Sequence, residues 1–199
     1  MIAILDISGN NLNSLTNAIQ GLGYDYCLTH NPQELMAASQ VILPGVGAAA
    51  SAMRALENYQ LIDVLRQLTQ PVLGICLGMQ LLLEGSEEGN VTCLNLIPGF
   101  AKHLPVRANH PVPHMGWNTL QWMKESPLSQ GLTKDDYVYF VHSYALLNEE
   151  NALAQCQYSE KFTAIVQHKN IYGMQFHPEK SAKTGLKLLR NFLQLGKSC

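Results

Sequence analysis

The chain has no basic stripe, no block of like charge and no apolar run near the ~20 residues that span a bilayer. Its 13 Lys and Arg stand against 15 Asp and Glu, a formal net charge of −2, so binding to a phosphate backbone has no electrostatic footprint. Cysteine is sparse. The five, at 27, 76, 93, 156 and 199, are odd in number and contain no C-x-x-C pair. That pattern argues against a disulfide framework or a zinc ribbon and fits the reducing cytoplasm. Asp6 breaks the opening apolar run, and no basic n-region or long h-region is present, so no secretory signal is expected. Neither GxxxxGK[ST] nor GxGxxG occurs, and no cofactor or metal is expected.

What is there is apolar periodicity. Apolar residues make up 47% of the 199, enough for a sizeable core. Ile2 to Leu5 is a continuous apolar run, as in a strand covered on both faces. Leu12, Leu15, Ile19 and Leu22 recur at helical spacing, and Gly21 and Gly23 punctuate the end. The same reading predicts strands over 24–28, 41–43 and 72–75 and helices over 32–38 and 77–83. It also predicts a long helix marked by Ala49, Met53, Leu56, Leu65 and Leu68 and broken near Tyr59. Alternation of this kind predicts a parallel sheet with right-handed crossovers. The second half reads differently, with closely spaced strands near 137–142, 152–158, 162–168 and 171–176. A last helix follows, with Leu186, Leu189 and Leu193 on one stripe and Leu188, Phe192 and Leu195 on the next. With no linker or repeat, residues 1–199 read as one α/β domain: an open, mostly parallel sheet with flanking helices and an antiparallel extension.

The most informative segment is Val72-Leu73-Gly74-Ile75-Cys76-Leu77-Gly78-Met79-Gln80. A strand, G-x-C-x-G and a helix form the nucleophile-elbow pattern with cysteine in place of serine. Glycines two residues to either side relieve crowding at the bend. The following helix aims its free N–H groups at the sulfur and favours the thiolate. The Leu77 N–H could stabilise an oxyanion. A structural cysteine before an apolar helix is the plain alternative, and the paired glycines weigh against it.

A second segment, Met174-Gln175-Phe176-His177-Pro178-Glu179, closes the last strand. Residues two apart in extended chain project to one side, so His177 and Glu179 can lie together. Pro178 keeps His177 out of the helical region. A carboxylate there would fix the imidazole tautomer and stabilise the imidazolium. The other histidines, 30, 103, 110, 114, 142 and 168, read as surface or packing residues. A third segment, Pro44-Gly45-Val46-Gly47, sits between strand and helix and exposes backbone N–H groups, with Val46 and Gly47 the candidate second oxyanion donors.

PGVG at 44–47, GICLGMQLL at 74–82 and QFHPEKS at 175–181 resemble, in order and spacing, the motifs of class I glutamine amidotransferases. The likeness runs over essentially the whole chain and implies that family's flavodoxin-like fold. It implies that Cys76 attacks the glutamine side-chain amide, that His177 passes protons and that Glu179 orients it. It places Gly45, Gln80, His142, Ser143 and Tyr144 around the glutamine. PHMGWN at 113–118 resembles the signature of the branch that serves imidazole glycerol phosphate synthases. That implies a separate cyclase subunit, built as a (β/α)8 barrel, which consumes the ammonia. Asn11, Asn13, Met115, Trp117, Asn118 and Lys180 would face it. Asn10 stands where many relatives carry glycine. Amidotransferases of anthranilate, aminodeoxychorismate or GMP synthesis are the nearest alternatives, with a γ-glutamyl peptidase or a redox sensor using Cys76 further off.

Overall fold

The computed structural model describes residues 1–7, 12–45 and 47–195. The first half alternates as the periodicity predicts: β1 (Ile2–Leu5), α1 (Asn13–Gly21), β2 (Tyr26–Thr29), α2 (Pro32–Ala37), β3 (Gln40–Leu43), α3 (Ala49–Asn58), α4 (Ile62–Gln67) and β4 (Val72–Ile75). The break expected near Tyr59 is real, for Gln60 turns to φ 57° between α3 and α4. Next come α5 (Leu77–Leu81), β5 (Leu83–Ser86), β6 (Val91–Thr92), β7 (Ile97–His103), β8 (His114–Thr119) and β9 (Gln121–Trp122). The chain then runs through β10 (Tyr137–His142), β11 (Tyr144–Leu146), β12 (Ala152–Gln157), β13 (Lys161–His168) and β14 (Ile171–Met174) to α6 (Ala182–Leu195).

Strands β2, β1, β3, β4 and β14 lie side by side and parallel. The last strand thus returns to the middle of the sheet, next to β4. There it pairs antiparallel with β13, and the sheet continues through β11, β7, β5 and β6, with β12 and β9 branching from β13. Side chains of a strand alternate between faces. Ile2, Ile4, Ile42, Leu73 and Ile75 pack on one face against Leu15 and Ile19 of α1 and Leu188, Leu189 and Phe192 of α6. Ala3, Leu5, Val41, Leu43 and Val72 pack on the other against Leu35, Met53, Leu56, Leu65 and Leu77. Both faces are buried, as the unbroken apolar runs require.

Strands β8 and β10 form a separate antiparallel ribbon in which His114 pairs with His142, Met115 with Val141 and Trp117 with Tyr139. The inner face carries His114, Phe140 and His142, all buried, while Met115, Trp117 and Tyr137 are exposed on the outer one.

Two expectations shift. The helix over 77–83 ends at Leu81, and Leu83 opens β5. A short apolar run does not distinguish the end of a buried helix from the start of a buried strand. Leu186, read on one apolar stripe with Leu189 and Leu193, is exposed, and Leu188 and Phe192 fill the core with Leu189 and Leu193.

The order β3–β4–β14 brings the carboxyl ends of three strands together, where ligands of open α/β sheets bind. Glycine is obligatory at this junction. A Cβ on Gly78 would run into the carbonyl oxygen of Leu43, and one on Gly74 would meet the Gly78 oxygen at 2.6 Å. We predict that Gly78→Ala destabilises the protein by about 3 kcal/mol. The urea midpoint should fall accordingly, and an unchanged midpoint would contradict this packing.

Candidate active site

Cys76 occupies the bend between β4 and α5 with φ 53° and ψ −111°. A non-glycine residue in this region is strained and needs surroundings that hold it there. Part of the hold is the Cys76 N–H, which donates to the Met174 carbonyl of β14 at 2.7 Å. Helix α5 has only five residues, so its dipole is smaller than the sequence suggests and local N–H groups matter more. Leu77 opens that helix, so its N–H lacks an intrahelical partner. Burial pushes the thiols of Cys93 and Cys156 up to about 11 and about 12, which leaves both inert at neutral pH.

His177 lies just past β14, its N–H bonded to Tyr139 O at 3.0 Å. Its backbone is extended, φ −99° and ψ 97°, as a residue before proline should be. Glu179 is not in extended chain. It sits in a 3₁₀ turn, Pro178–Lys180, and that turn swings its carboxylate beside the ring. The Glu179 Oε1 to His177 Nδ1 distance is 2.8 Å. Ser181 braces the turn, its Oγ donating to His177 O at 2.7 Å and accepting from Tyr139 N at 2.9 Å. The ring's other polar neighbour is the Cys76 sulfur, with which it lines one cleft. Burial alone would push the imidazole down. The hydrogen bonds to Cys76 and Glu179 and their negative charges outweigh it and carry the pKa up to about 9. The three side chains expected to work together are therefore in contact, and the ring is charged near neutral pH.

Above the sulfur lies a cleft of about 250 Å³. Gly45, Gly47, Leu77 and Gln80 line it from one side, and His142, Ser143 and Tyr144 from the other. Val46 and Asn11 lie outside the described residues. A Cβ on Gly45 would come within 2.6 Å of Gly78 N, so Gly45 is pressed against the elbow. Among the described residues in the wall, Glu88 is the only acidic one. Its Oε2 accepts the N–H of Ala49 at the start of α3, at 3.0 Å. The sequence did not single it out, because Glu84, Glu87 and Glu88 crowd one short stretch and only the fold aims one of them at the cleft.

His114 and His142 are not surface residues. They face each other at 3.1 Å, Nδ1 to Nε2, and His142 Nδ1 lies 2.9 Å from Tyr144 O. Burial, above all, depresses both rings, to about 4 for His114 and about 3 for His142. Met115 and Trp117 are exposed, as are Asn13 and Lys180, and none lines the cleft. Asn118 turns its amide inward, to Gln157 O at 3.0 Å and Thr119 N at 2.8 Å. Among the described residues no cluster of His, Cys, Asp or Glu is placed to hold a metal ion, and no helix is long and apolar enough to cross a membrane.

The family model described as glutamine amidotransferase class-I matches residues 3–195. The chain is 64% identical over 199 residues, all of both chains, to imidazole glycerol phosphate synthase subunit HisH 2 of Legionella pneumophila (strain Paris). It is 52% identical to subunit HisH of Idiomarina loihiensis over 194 residues, 98% of this chain and 97% of that one. Among solved structures, a glutamine amidotransferase matches with a TM-score of 0.76 at 18% identity, covering 99% of each chain. A glutamine amidotransferase from Thermotoga maritima matches at 0.71 and 16% identity, over 99% of this chain and 98% of that one. At such identities these structures speak for the fold alone.

The raised imidazole has a measurable consequence. The charged ring stabilises the folded state fully below pH 6.5, and that contribution is lost as pH rises through about 9. Titration of His177 by NMR should show a midpoint near 9 that drops toward 6.5 in Glu179→Gln. A midpoint that ignores Glu179→Gln would refute this account of the shift.

Proposed function

The chain belongs to the class I glutamine amidotransferases, and from that premise we infer that it serves as the glutaminase subunit of an imidazole glycerol phosphate synthase. It hydrolyses glutamine to glutamate and ammonia. A cyclase subunit uses the ammonia to turn phosphoribulosyl-formimino aminoimidazole carboxamide ribonucleotide into imidazole glycerol phosphate and AICAR, in histidine biosynthesis. The observation that carries the mechanism is that Cys76 and His177 line one cleft while Glu179 holds the His177 ring from behind at 2.8 Å.

The Cys76 thiolate attacks the side-chain carbonyl carbon of glutamine. The oxyanion is met by the Leu77 N–H and by N–H groups of the 44–47 loop, Val46 and Gly47. His177, already protonated, hands its proton to the departing nitrogen as the C–N bond breaks. Ammonia leaves and a γ-glutamyl thioester remains. The neutral ring then takes a proton from water, whose oxygen attacks the thioester. The C–S bond breaks and glutamate is released. Glu179 holds the ring's tautomer and balances its charge throughout. Glu88 offers the glutamine α-ammonium a carboxylate, while Gly45, Gln80, His142, Ser143 and Tyr144 shape the rest of the site.

Ammonia released into water near neutral pH is protonated and loses its nucleophilicity, so it has to travel inside protein. The cyclase, a (β/α)8 barrel, would dock over the exposed Met115 and Trp117 beside the site, with Asn11, Asn13, Asn118 and Lys180 at the same interface. The complex would work in the cytoplasm, and residues 1–199 would act as one amidotransferase domain.

Cys76→Ala should abolish glutamine-dependent synthesis by the complex and leave synthesis from ammonium salts, which the cyclase performs alone; loss of both would reject the assignment. Glu88→Gln should raise the glutamine KM about tenfold or more, as expected for a lost charged hydrogen bond, and a KM unchanged in steady-state assays would remove Glu88 from the substrate site.

A further inference from the structure

His177, held by Glu179, shares the cleft with the sulfur. Another side chain approaches it independently. Gln175, wholly buried at the end of β14, places its Nε2 3.9 Å from Cys76 Sγ. An amide can present either end to a neighbour, and only its hydrogen bonds decide which. Here the decision is fixed by a chain of buried groups that begins at a carbonyl.

Tyr144 O can only accept. It takes a hydrogen from His142 Nδ1 at 2.9 Å and another from Gln80 Nε2 at 2.9 Å. With its hydrogen on Nδ1, neutral His142 has a lone pair on Nε2, so His114 Nδ1 must donate to it. Gln80 Nε2 uses its second hydrogen on Gln175 Oε1, at 3.1 Å. The oxygen of Gln175 is thereby occupied, and the only end it can turn to the sulfur is its N–H. Reversing that amide would set two NH₂ groups face to face at Gln80 and an oxygen against the sulfur. Gln80 itself, expected to bind substrate, holds its amide nitrogen on these two partners.

We propose that Gln175 is a catalytic residue that stabilises the Cys76 thiolate by donating its amide N–H to the sulfur, in an orientation locked by Gln80, Tyr144 O and the His142–His114 pair. Hydrogen bonds to a charged group inside a protein are stronger than those between neutral ones. The chain also explains why two histidines are buried uncharged. A proton added to His142 Nε2 would oppose the His114 donor.

The inference rests on the glutaminase reading of the cleft, and the experiment separates the two. In the complex with the cyclase, alkylation of Cys76 by chloroacetamide is followed against pH by mass spectrometry of its peptide, for the wild type, Gln175→Leu and Gln175→Glu. Loss of the donor should move the alkylation midpoint of Gln175→Leu up by about one pH unit or more and lower kcat for glutamine about tenfold to a hundredfold. KM should stay within about twofold, because the amide contacts the sulfur and not the substrate. Gln175→Glu keeps the shape but sets a carboxylate against the sulfur, so its midpoint should lie higher still. Co-elution with the cyclase in gel filtration reports whether each complex assembles; where the leucine variant fails to co-elute, the glutamate variant decides. Wild-type alkylation profiles in the assembled variants would overturn the role of Gln175, even with Cys76→Ala inactive on glutamine. Activity in Cys76→Ala would instead overturn the reading beneath it.

Discussion

The structure depends on one crowded turn. Cys76 is held at φ 53° because β4 is paired on both sides, with β3 and β14, and because Gly78 presses against the Leu43 carbonyl. Strain of this kind costs on the order of 1–3 kcal/mol and survives only where the neighbours over-determine it. The same contacts that enforce the strain assemble the site. β3 delivers Pro44 and Gly45, β4 delivers the sulfur and β14 delivers the imidazole, and all three end at one edge because the final strand inserts beside β4. A chain that ended its sheet at β4 would have the nucleophile and no base.

Within a few ångströms the fold gives identical side chains opposite charge states. All three histidines near the cleft are buried, and burial alone would discharge each of them. His177 has a carboxylate on one nitrogen and the sulfur on the other, and it stays charged. His142 has a carbonyl and another imidazole, and it is neutral. Partners, not depth, decide the difference. A charged ring can supply a proton to the departing amide nitrogen, whereas a neutral one can only hold a direction of donation.

The parallel half of the fold was legible because buried strands advertise themselves as unbroken apolar runs between helical stripes. Cys76 and His177 were legible for a related reason: a bend that admits only glycine at 74 and 78, and a proline after a histidine, are local constraints written in local sequence. The pairing of His177 with Glu179 was foreseen, but through extended chain rather than the 3₁₀ turn that delivers it. The strands over 83–103 and 114–122 were not foreseen, since they are short, partly exposed and defined by partners remote in the chain. Glu88 and the His114–His142 pair escaped for that reason too. Their meaning lies in what faces them, and nothing within a few residues of each reveals it.

The outer face of the β8–β10 ribbon has a consequence for the cell. Met115, Trp117 and Tyr137 expose large apolar surfaces on a strip left uncovered among the described residues. Such patches make a protein sticky toward its own copies as readily as toward a mate. With the cyclase docked there as proposed, the colloidal behaviour of this chain is tied to stoichiometry. Molecules synthesised in excess of the cyclase would carry a surface suited to clumping, which favours production of the two subunits in balanced amounts.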